Sequence, residues 1–416
     1  MNAPFGLHRR LPKNWESVAI KDVTSDWRGG APFEPEDFTE QGFPVLHKGA
    51  IQKGGQIAID PKKKTFTTES FVQSHQKSVI DQSYVAVTLR DLVPSGPSIG
   101  LVADLARFPS QKYILAQGAY GFHIDRGRLN PTYLVWLSNY EPFRLYMKRY
   151  AVGSTQIHVR TPVFQDLEIP LPQIEEQRRI ADILDRADAI RRKRQEAIRM
   201  TEELLRSAFL EMFGDPVTNP KGWDVKPLAN VVHPDTIVTY GIVQAGSHVE
   251  DGIPYIRTGD IKNSQISESG LLRTSSDIAQ KYKRSEVHTG DLVMSIRATV
   301  GTVARVPESL NGANLTQGTA KISPGSNVNG NYLFWFIQSN GCQNWIQKQV
   351  KGATFREITL TRLREMPVML PPLDLQSKFS RIIEQTTQCS AKLKLSKSKK
   401  NDLFNSLLQR AFRGEL

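Results

Sequence analysis

Leu171-Pro172-Gln173-Ile174-Glu175-Glu176-Gln177 opens a run of roughly 40 helix-forming residues, and Leu370-Pro371-Pro372-Leu373-Asp374-Leu375-Gln376 opens a second. Proline lacks the amide donor that a helix interior needs but fits just ahead of its first turn, so each Leu-Pro step marks a helix start. With position a at Ile180, the first run places Ile180, Ala187, Arg194, Thr201 and Ala208 at a, and Ile183, Ile190, Ala197 and Leu204 at d. Position e adds Leu184, Ile198, Leu205 and Met212. The second run, shifted by 199 residues, puts Phe379, Thr386, Leu393, Lys400 and Leu407 at a, and Ile382, Cys389, Ser396 and Leu403 at d. Sustained heptads with charged outer faces predict a coiled coil. Each helix would be about 60 Å long at about 1.5 Å per residue.

Nearly the whole chain is a repeat. Pro12-Lys13-Asn14-Trp15 returns as Pro220-Lys221-Gly222-Trp223, and Phe43-Pro44-Val45-Leu46 as Ile253-Pro254-Tyr255-Ile256. Asp91-Leu92-Val93 is matched to Asp291-Leu292-Val293, and Gln117-Gly118 to Gln317-Gly318, both at an offset of 200. From Tyr133 onward the offset is 199, pairing Tyr133, Trp136, Gly153, Thr155 and Gln177 with Tyr332, Trp335, Gly352, Thr354 and Gln376. The front portions read as mixed β with a little helix, short apolar runs broken by Gly, Pro, Asn and Ser. Helices are expected over 132–149 and 331–349. The expected fold is α+β, with domains at 1–170 and 216–370 and long helices at 171–215 and 371–416. The helices pair antiparallel, with the globular portions related by a pseudo-twofold axis.

Composition narrows the function. The chain has 416 residues, 23% charged and 39% hydrophobic, the balance of an ordinary globular protein. Lys and Arg number 54 against 42 Asp and Glu, a net charge of +12 that suits a polyanionic partner. Two cysteines, Cys342 and Cys389, build neither a disulfide framework nor a zinc site. No apolar leader or membrane-length run is seen, so the expectation is a cytoplasmic protein with no membrane partner. There is no Gly-x-x-x-x-Gly-Lys-Ser/Thr loop for a nucleotide phosphate, and the eight histidines are scattered. Asn130-Pro131-Thr132-Tyr133 lies one residue from the Asn-Pro-Pro-Tyr motif of amino-methyltransferases. No glycine-rich cofactor loop precedes it, and its repeat partner is Asn329-Gly330-Asn331-Tyr332, so it reads as a helix start.

The frame of globular domain, Leu-Pro-x-φ-x-x-Gln and long helix, present twice, resembles the DNA specificity (S) subunit of type I restriction-modification systems. Further matching pieces are Ile253-Pro254-Tyr255-Ile256-Arg257-Thr258-Gly259-Asp260-Ile261, Gly290-Asp291-Leu292 and Gly153-Ser154-Thr155-Gln156. The first copy departs in having Arg90-Asp91 at the place matched to Gly290-Asp291. The resemblance implies a non-catalytic subunit whose two target recognition domains each read half of a bipartite, asymmetric double-stranded DNA site. It implies helices that space those domains and dock two methyltransferase (M) subunits, which carry S-adenosylmethionine and methylate adenine at N6. Restriction (R) subunits, which hydrolyse ATP with Mg, complete the endonuclease of this phage defence. No cofactor is expected on the chain itself. Two rival readings are an autonomous duplicated-domain DNA-binding regulator and a silent allele that serves as a recombination donor.

Charge marks the candidate DNA contacts: Lys53, Lys62, Lys63, Lys64, Arg126 and Arg128 in the first domain, and Arg257, Lys262, Lys281, Lys283, Arg284 and Arg297 in the second. Ser154 and Thr155, with Thr354 and Arg356, follow helix-ending glycines, where backbone amides could meet phosphate. Two basic clusters, Arg191-Arg192-Lys193-Arg194 and Lys392, Lys394, Lys397, Lys399 and Lys400, fall near the helix centres and are further candidates for DNA backbone or M-subunit contact.

Overall fold

The computed structural model describes residues 11–59, 64–108, 112–352 and 356–416, and of 387–402 the backbone alone. The chain divides into two compact units, Met1–Gln195 with Leu395–Leu416, and Glu196–Lys394. Both breaks fall inside the long helices, Ile174–Phe213 and Leu373–Ala411. Each unit therefore holds the start of one helix and the end of the other, whereas the sequence-based segmentation keeps each helix whole.

In the first unit a four-stranded antiparallel sheet has the order Thr24–Gly29, Ala119–Ile124, Val85–Thr88, Val102–Asp104. The second unit repeats that order with Thr239–Tyr240, Thr319–Ile322, Leu292–Ser295 and Val303–Arg305. A second, mixed sheet in each unit contains one parallel pair, Phe43–Leu46 beside Tyr113–Leu115 and Ile253–Ile256 beside Asn314–Leu315. The strand after each Trp motif, Glu16–Ala19 or Asp224–Pro227, pairs antiparallel with the strand that leads into a long helix, Glu168–Leu171 or Pro367–Leu370. That pairing gives the Pro-Lys-x-Trp repeat a structural purpose: it ties the entry of the unit to the root of its helix.

The stretches expected as single helices are each two. Pro131–Asn139 is followed by Glu141–Arg149 across Tyr140, and Gly330–Gln338 by Asn340–Gln349 across Ser339. The hinge residues are extended, with ψ of 132° at Tyr140 and 148° at Ser339. Pro142 blocks continuation in the first copy. In the second, Ser339 acts as a fresh N-cap, its hydroxyl accepting the Cys342 amide at 3.3 Å.

Within the first unit, Trp136 meets Phe404 at 5.5 Å between ring centroids, and Phe412 meets both Tyr133 at 5.3 Å and Tyr140 at 5.2 Å. The end of the second long helix is thus part of the first unit's core, together with Ile180 and Leu184 of the first helix. Arg179 donates to the Leu416 carbonyl at 2.7 Å and Arg191 lies 4.9 Å over the Phe404 ring. As the position rises from 179 to 191 its partner falls from 416 to 404, so these two helix segments run antiparallel. In the second unit Phe209 and Phe213 of the first helix pack on Phe379 of the second, at 5.6 and 5.4 Å.

The buried stripe of the helices differs from the a/d seam. Positions a and e are covered at Ile180, Leu184, Leu205, Phe379, Ile383 and Phe404, but the d residues Ile190, Leu204 and Leu403 are 56%, 59% and 54% exposed. Each helix segment packs on a globular unit as well as on a helix, and that broader contact selects a stripe shifted by one residue.

Candidate nucleic-acid interface

Each long helix is fastened to its unit by a buried glutamine. Gln177 Oε1 accepts the Asn130 amide at 2.8 Å, and its Nε2 donates to the Arg128 and Pro172 carbonyls, each at 2.8 Å. Gln376 repeats this, accepting the Asn329 amide and donating to the Pro371 carbonyl, both at 2.7 Å. Both side chains are fully buried. Asn130 and Asn329 are N-caps, their side-chain oxygens accepting the Tyr133 and Tyr332 amides. Those tyrosines are themselves buried and donate to the Pro170 carbonyl at 2.8 Å and the Met369 carbonyl at 3.0 Å. The Asn-Pro-Thr-Tyr stretch is therefore a helix start, with no ring free to stack on a base.

Strand register corrects one match made on sequence. Val85 opposes Asp104 as Leu292 opposes Arg305, and Thr88 opposes Ala119 as Ser295 opposes Thr319. The counterpart of Gly290-Asp291 is thus Ser83-Tyr84, and the counterpart of Arg297 is Arg90. In the second unit Asp291 is buried with Lys321, 3.6 Å away, and accepts the His288 amide at 2.9 Å. In the first, the position equivalent to Lys321 is Gly121, and a side chain there would meet Tyr84 and Ile80. A tyrosine over a glycine thus replaces a buried ion pair, which is why the Gly-Asp step is missing.

Arg90 and Arg297 occupy the same address, beside the Gln-Gly turns. Leu89 and Ile296 each donate to the carbonyl of that glycine, Gly118 and Gly318, at 2.9 Å. A Cβ on Gly118 would lie 2.6 Å from that of Arg90, so this left-handed turn (φ 95°) admits only glycine. Arg90 donates to Gln117 at 3.0 Å, whereas Arg297 is bridged to Glu357 at 3.0 Å. The turn after the parallel strand comes to the same place, placing Lys48 in the first unit and Thr258, which donates to the Gly318 carbonyl at 3.2 Å, in the second. Lys48 is half-buried; burial, and then the nearby Arg90 charge, hold its ammonium below the usual lysine range. The offset of 200 pairs Arg90 with Gly290 and hides its match to Arg297, because the loops between the strands differ in length; the offset of 210 does pair Lys48 with Thr258, but a lone lysine beside that turn carries no signal of its own. The signal for Arg90 was present in the parallel patterns Val85-Ala86-Val87-Thr88-Leu89-Arg90 and Leu292-Val293-Met294-Ser295-Ile296-Arg297.

The candidates named from charge fall into several groups. Lys53, Lys64, Ser154, Thr155, Lys262, Lys281, Lys283 and Arg284 are exposed. Arg126 lies 3.8 Å from Asp104, and Arg128 lies 4.0 Å from Glu16. Arg257 is forked onto Asp260, by Nε at 3.0 Å and Nη2 at 2.9 Å, and that hydrogen-bonded pairing raises its pKa. It serves to close the turn. Arg356 donates to Gln347 at 2.6 Å, and its carbonyl accepts the Ala298 amide, bringing it to the Arg297 loop. Lys62, Lys63 and Thr354 lie outside the described residues, as do the side chains of Lys392, Lys394, Lys397, Lys399 and Lys400. Arg191 and Arg192 share the buried carboxylate of Asp188, at 2.5 and 2.9 Å.

A second polar cluster lies on the first unit's central sheet. Tyr84 donates a short hydrogen bond to Asp26, Arg28 lies 4.8 Å over the Tyr84 ring, and His123 packs on that ring at 4.1 Å. Burial and then the Asp26 bond push the Tyr84 hydroxyl up to about 12, and the same bond holds the Asp26 carboxyl below its usual range. Among the described residues no helix is long and apolar enough to cross a membrane.

Comparison with known proteins places this geometry in context. The family model described as the type I restriction modification DNA specificity domain matches twice, at residues 12–200 and 220–403. The EcoBI type I restriction enzyme specificity subunit of Escherichia coli is 27% identical over 289 residues, covering 62% of this chain and 60% of that protein. The MjaVIII type I restriction enzyme specificity subunit of Methanocaldococcus jannaschii is 26% identical over 204 residues, covering 48% of this chain and 46% of that protein. The chain thus spans between about half and three fifths of these two relatives. In fold it is similar to the crystal structure of a type I restriction-modification S subunit from M. genitalium, with a TM-score of 0.59 at 15% identity and 98% of both chains covered.

Proposed function

Because the chain belongs to the type I restriction-modification DNA specificity family, we propose that it is the DNA-reading subunit of such a system and performs no chemistry of its own. Each unit reads one half of a bipartite double-stranded target. Two methyltransferase subunits dock on the long helices and methylate adenine at N6 with S-adenosylmethionine; restriction subunits and ATP complete the endonuclease. The setting is the cytoplasm.

The observation that carries this reading is the duplication at the level of register. Both units share one strand order, one Gln-Gly turn beside an arginine, and one glutamine anchor. Two readers of one architecture, each rooted on a long helix, suit a target of two separate halves. The net charge of +12 suits a polyanion.

The test is to express the chain with its methyltransferase subunits and map methylated adenines. A version whose residues 1–165 come from a relative should change one half of the methylated sequence and keep the other. Both halves changing together, or methylation by the isolated chain with S-adenosylmethionine, would overturn the proposal. DNA binding without any methyltransferase association would favour the autonomous regulator.

A further inference from the structure

The two units differ most in one loop. From Thr88 to Val102 the first unit runs 14 positions where the second, from Ser295 to Val303, runs 8. The additional segment is firmly built. Asp91 accepts the Ser98 amide at 2.8 Å, the Ser98 hydroxyl at 2.6 Å and the Val93 amide at 3.3 Å. Arg144 holds its far side, donating to the Pro97 carbonyl at 2.8 Å and the Gly96 carbonyl at 3.1 Å. Together with the 48–53 turn and the first long helix, this loop walls a cleft of about 490 Å³.

Four basic side chains line the cleft: Lys48, Lys53, Arg191 and Arg192. The one carboxylate in its lining, Asp91, is engaged by the loop it folds. Arg191 and Arg192 share a single carboxylate, Asp188, so a net positive charge remains there. Neither Lys48 nor Lys53 makes an ion pair with a described residue. Arg90 adds its charge behind Lys48, and Gly49, also in the lining, adopts φ 84°. An open concavity that brings several uncompensated cations together is suited to an anion that stays partly hydrated, and a nucleic-acid backbone supplies a row of them. The matching address in the second unit has Thr258 in place of Lys48, and an arginine already neutralised by Glu357.

We propose that this cleft is a phosphate-binding site, particular to the first unit, which grips the DNA backbone next to the half-site that unit reads. It rests on the proposed DNA-reading function and adds an asymmetry to it: the first unit holds phosphate through Lys48 and Lys53 where the second has Thr258 and Asn263 at the matching positions. The contact sets affinity for any sequence and leaves the choice of bases to other side chains.

The test measures binding of the full chain to a random-sequence duplex from 50 to 200 mM salt. Each phosphate contact contributes roughly 0.9 to the slope of log K against log salt, so K48Q/K53Q should lower its magnitude by about 1.8. The loss of affinity over that range should then be about tenfold smaller than for the unaltered chain. K13Q/K226Q, which removes the same charge at exposed positions elsewhere, should leave the slope near its original value. If the unaltered chain fails to bind duplex DNA, the DNA-reading function itself fails. If it binds and K48Q/K53Q shifts the slope no more than K13Q/K226Q, the cleft is not a phosphate site. Loss of methyltransferase association with an unchanged slope would assign it instead to an acidic protein surface.

Discussion

The side chain of Gln177, on the first long helix, accepts the backbone amide of Asn130, on the globular unit, at 2.8 Å with both ends of the amide group engaged. One fully buried group thus joins the helix start of the globular unit, Arg128 two residues ahead of it and the root of the long helix. The angle at which the long helix leaves the unit is fixed by three bonds to backbone, none of which solvent can replace.

Changing Gln177 to Leu should therefore cost more than a surface change. It leaves the Asn130 amide and two carbonyls unpaired inside the protein, at about 1–3 kcal/mol for each group left unsatisfied. Urea unfolding of Q177L should show early loss of protection in residues 131–149 by hydrogen exchange, with the second unit's sheet, 292–295 and 319–322, still protected. Equal loss in both units would contradict a local anchor.

Truncating Phe412 tests whether the chain's last helix segment belongs to the first unit. Phe412 is 3% exposed and packs against Tyr133 and Tyr140. F412A should destabilise by about 3–5 kcal/mol, the usual cost of removing a buried phenylalanine. The exchange protection lost should be that of 131–149 and 174–195, residues far away in sequence.

Tyr84 gives the first unit an alkaline weakness. Its hydroxyl pKa is raised from 10.0 to about 12, so the folded state keeps a proton that the unfolded chain releases earlier. That contribution is complete below pH 10 and is lost as pH rises from about 10 to 12. Asp26 has the opposite sense: its lowered pKa stabilises above the ordinary carboxyl range and that contribution fades as pH falls below about 4. Y84F should flatten both limbs of the stability–pH curve. An unaltered alkaline limb, followed by tyrosinate absorbance, would show that another group is responsible.

Glu357 should act as a brake on the second unit's charge. The Arg297–Glu357 pair is about half exposed, so E357Q should change stability by no more than about 1 kcal/mol. Freed of its partner, Arg297 adds a charge beside the Gly318 turn. If that turn faces DNA, binding to any duplex should become steeper in salt, by up to about 0.9 in slope. An unchanged slope would place the turn away from the nucleic acid.

Much of this molecule follows from features local in sequence. The two helix starts were readable because proline and an N-capping asparagine act on their own neighbours, and the duplication was readable because both copies keep those signals in order. The family resemblance rested on the same pieces. Three matters depended on contacts between residues remote in sequence. Heptad counting put Ile190, Leu204 and Leu403 in the seam, but burial follows whatever packs on the helix, and a globular unit beside it covered positions a and e. A constant offset matched Arg90 to Gly290, but hydrogen-bond register across the sheet matched it to Arg297, because a loop can lengthen while strand pairing holds. And nothing in residues 395–416 shows that they complete the core of a unit made from the first 195. A helix carries its periodicity in its own sequence, but the surface that buries it lies elsewhere in the chain.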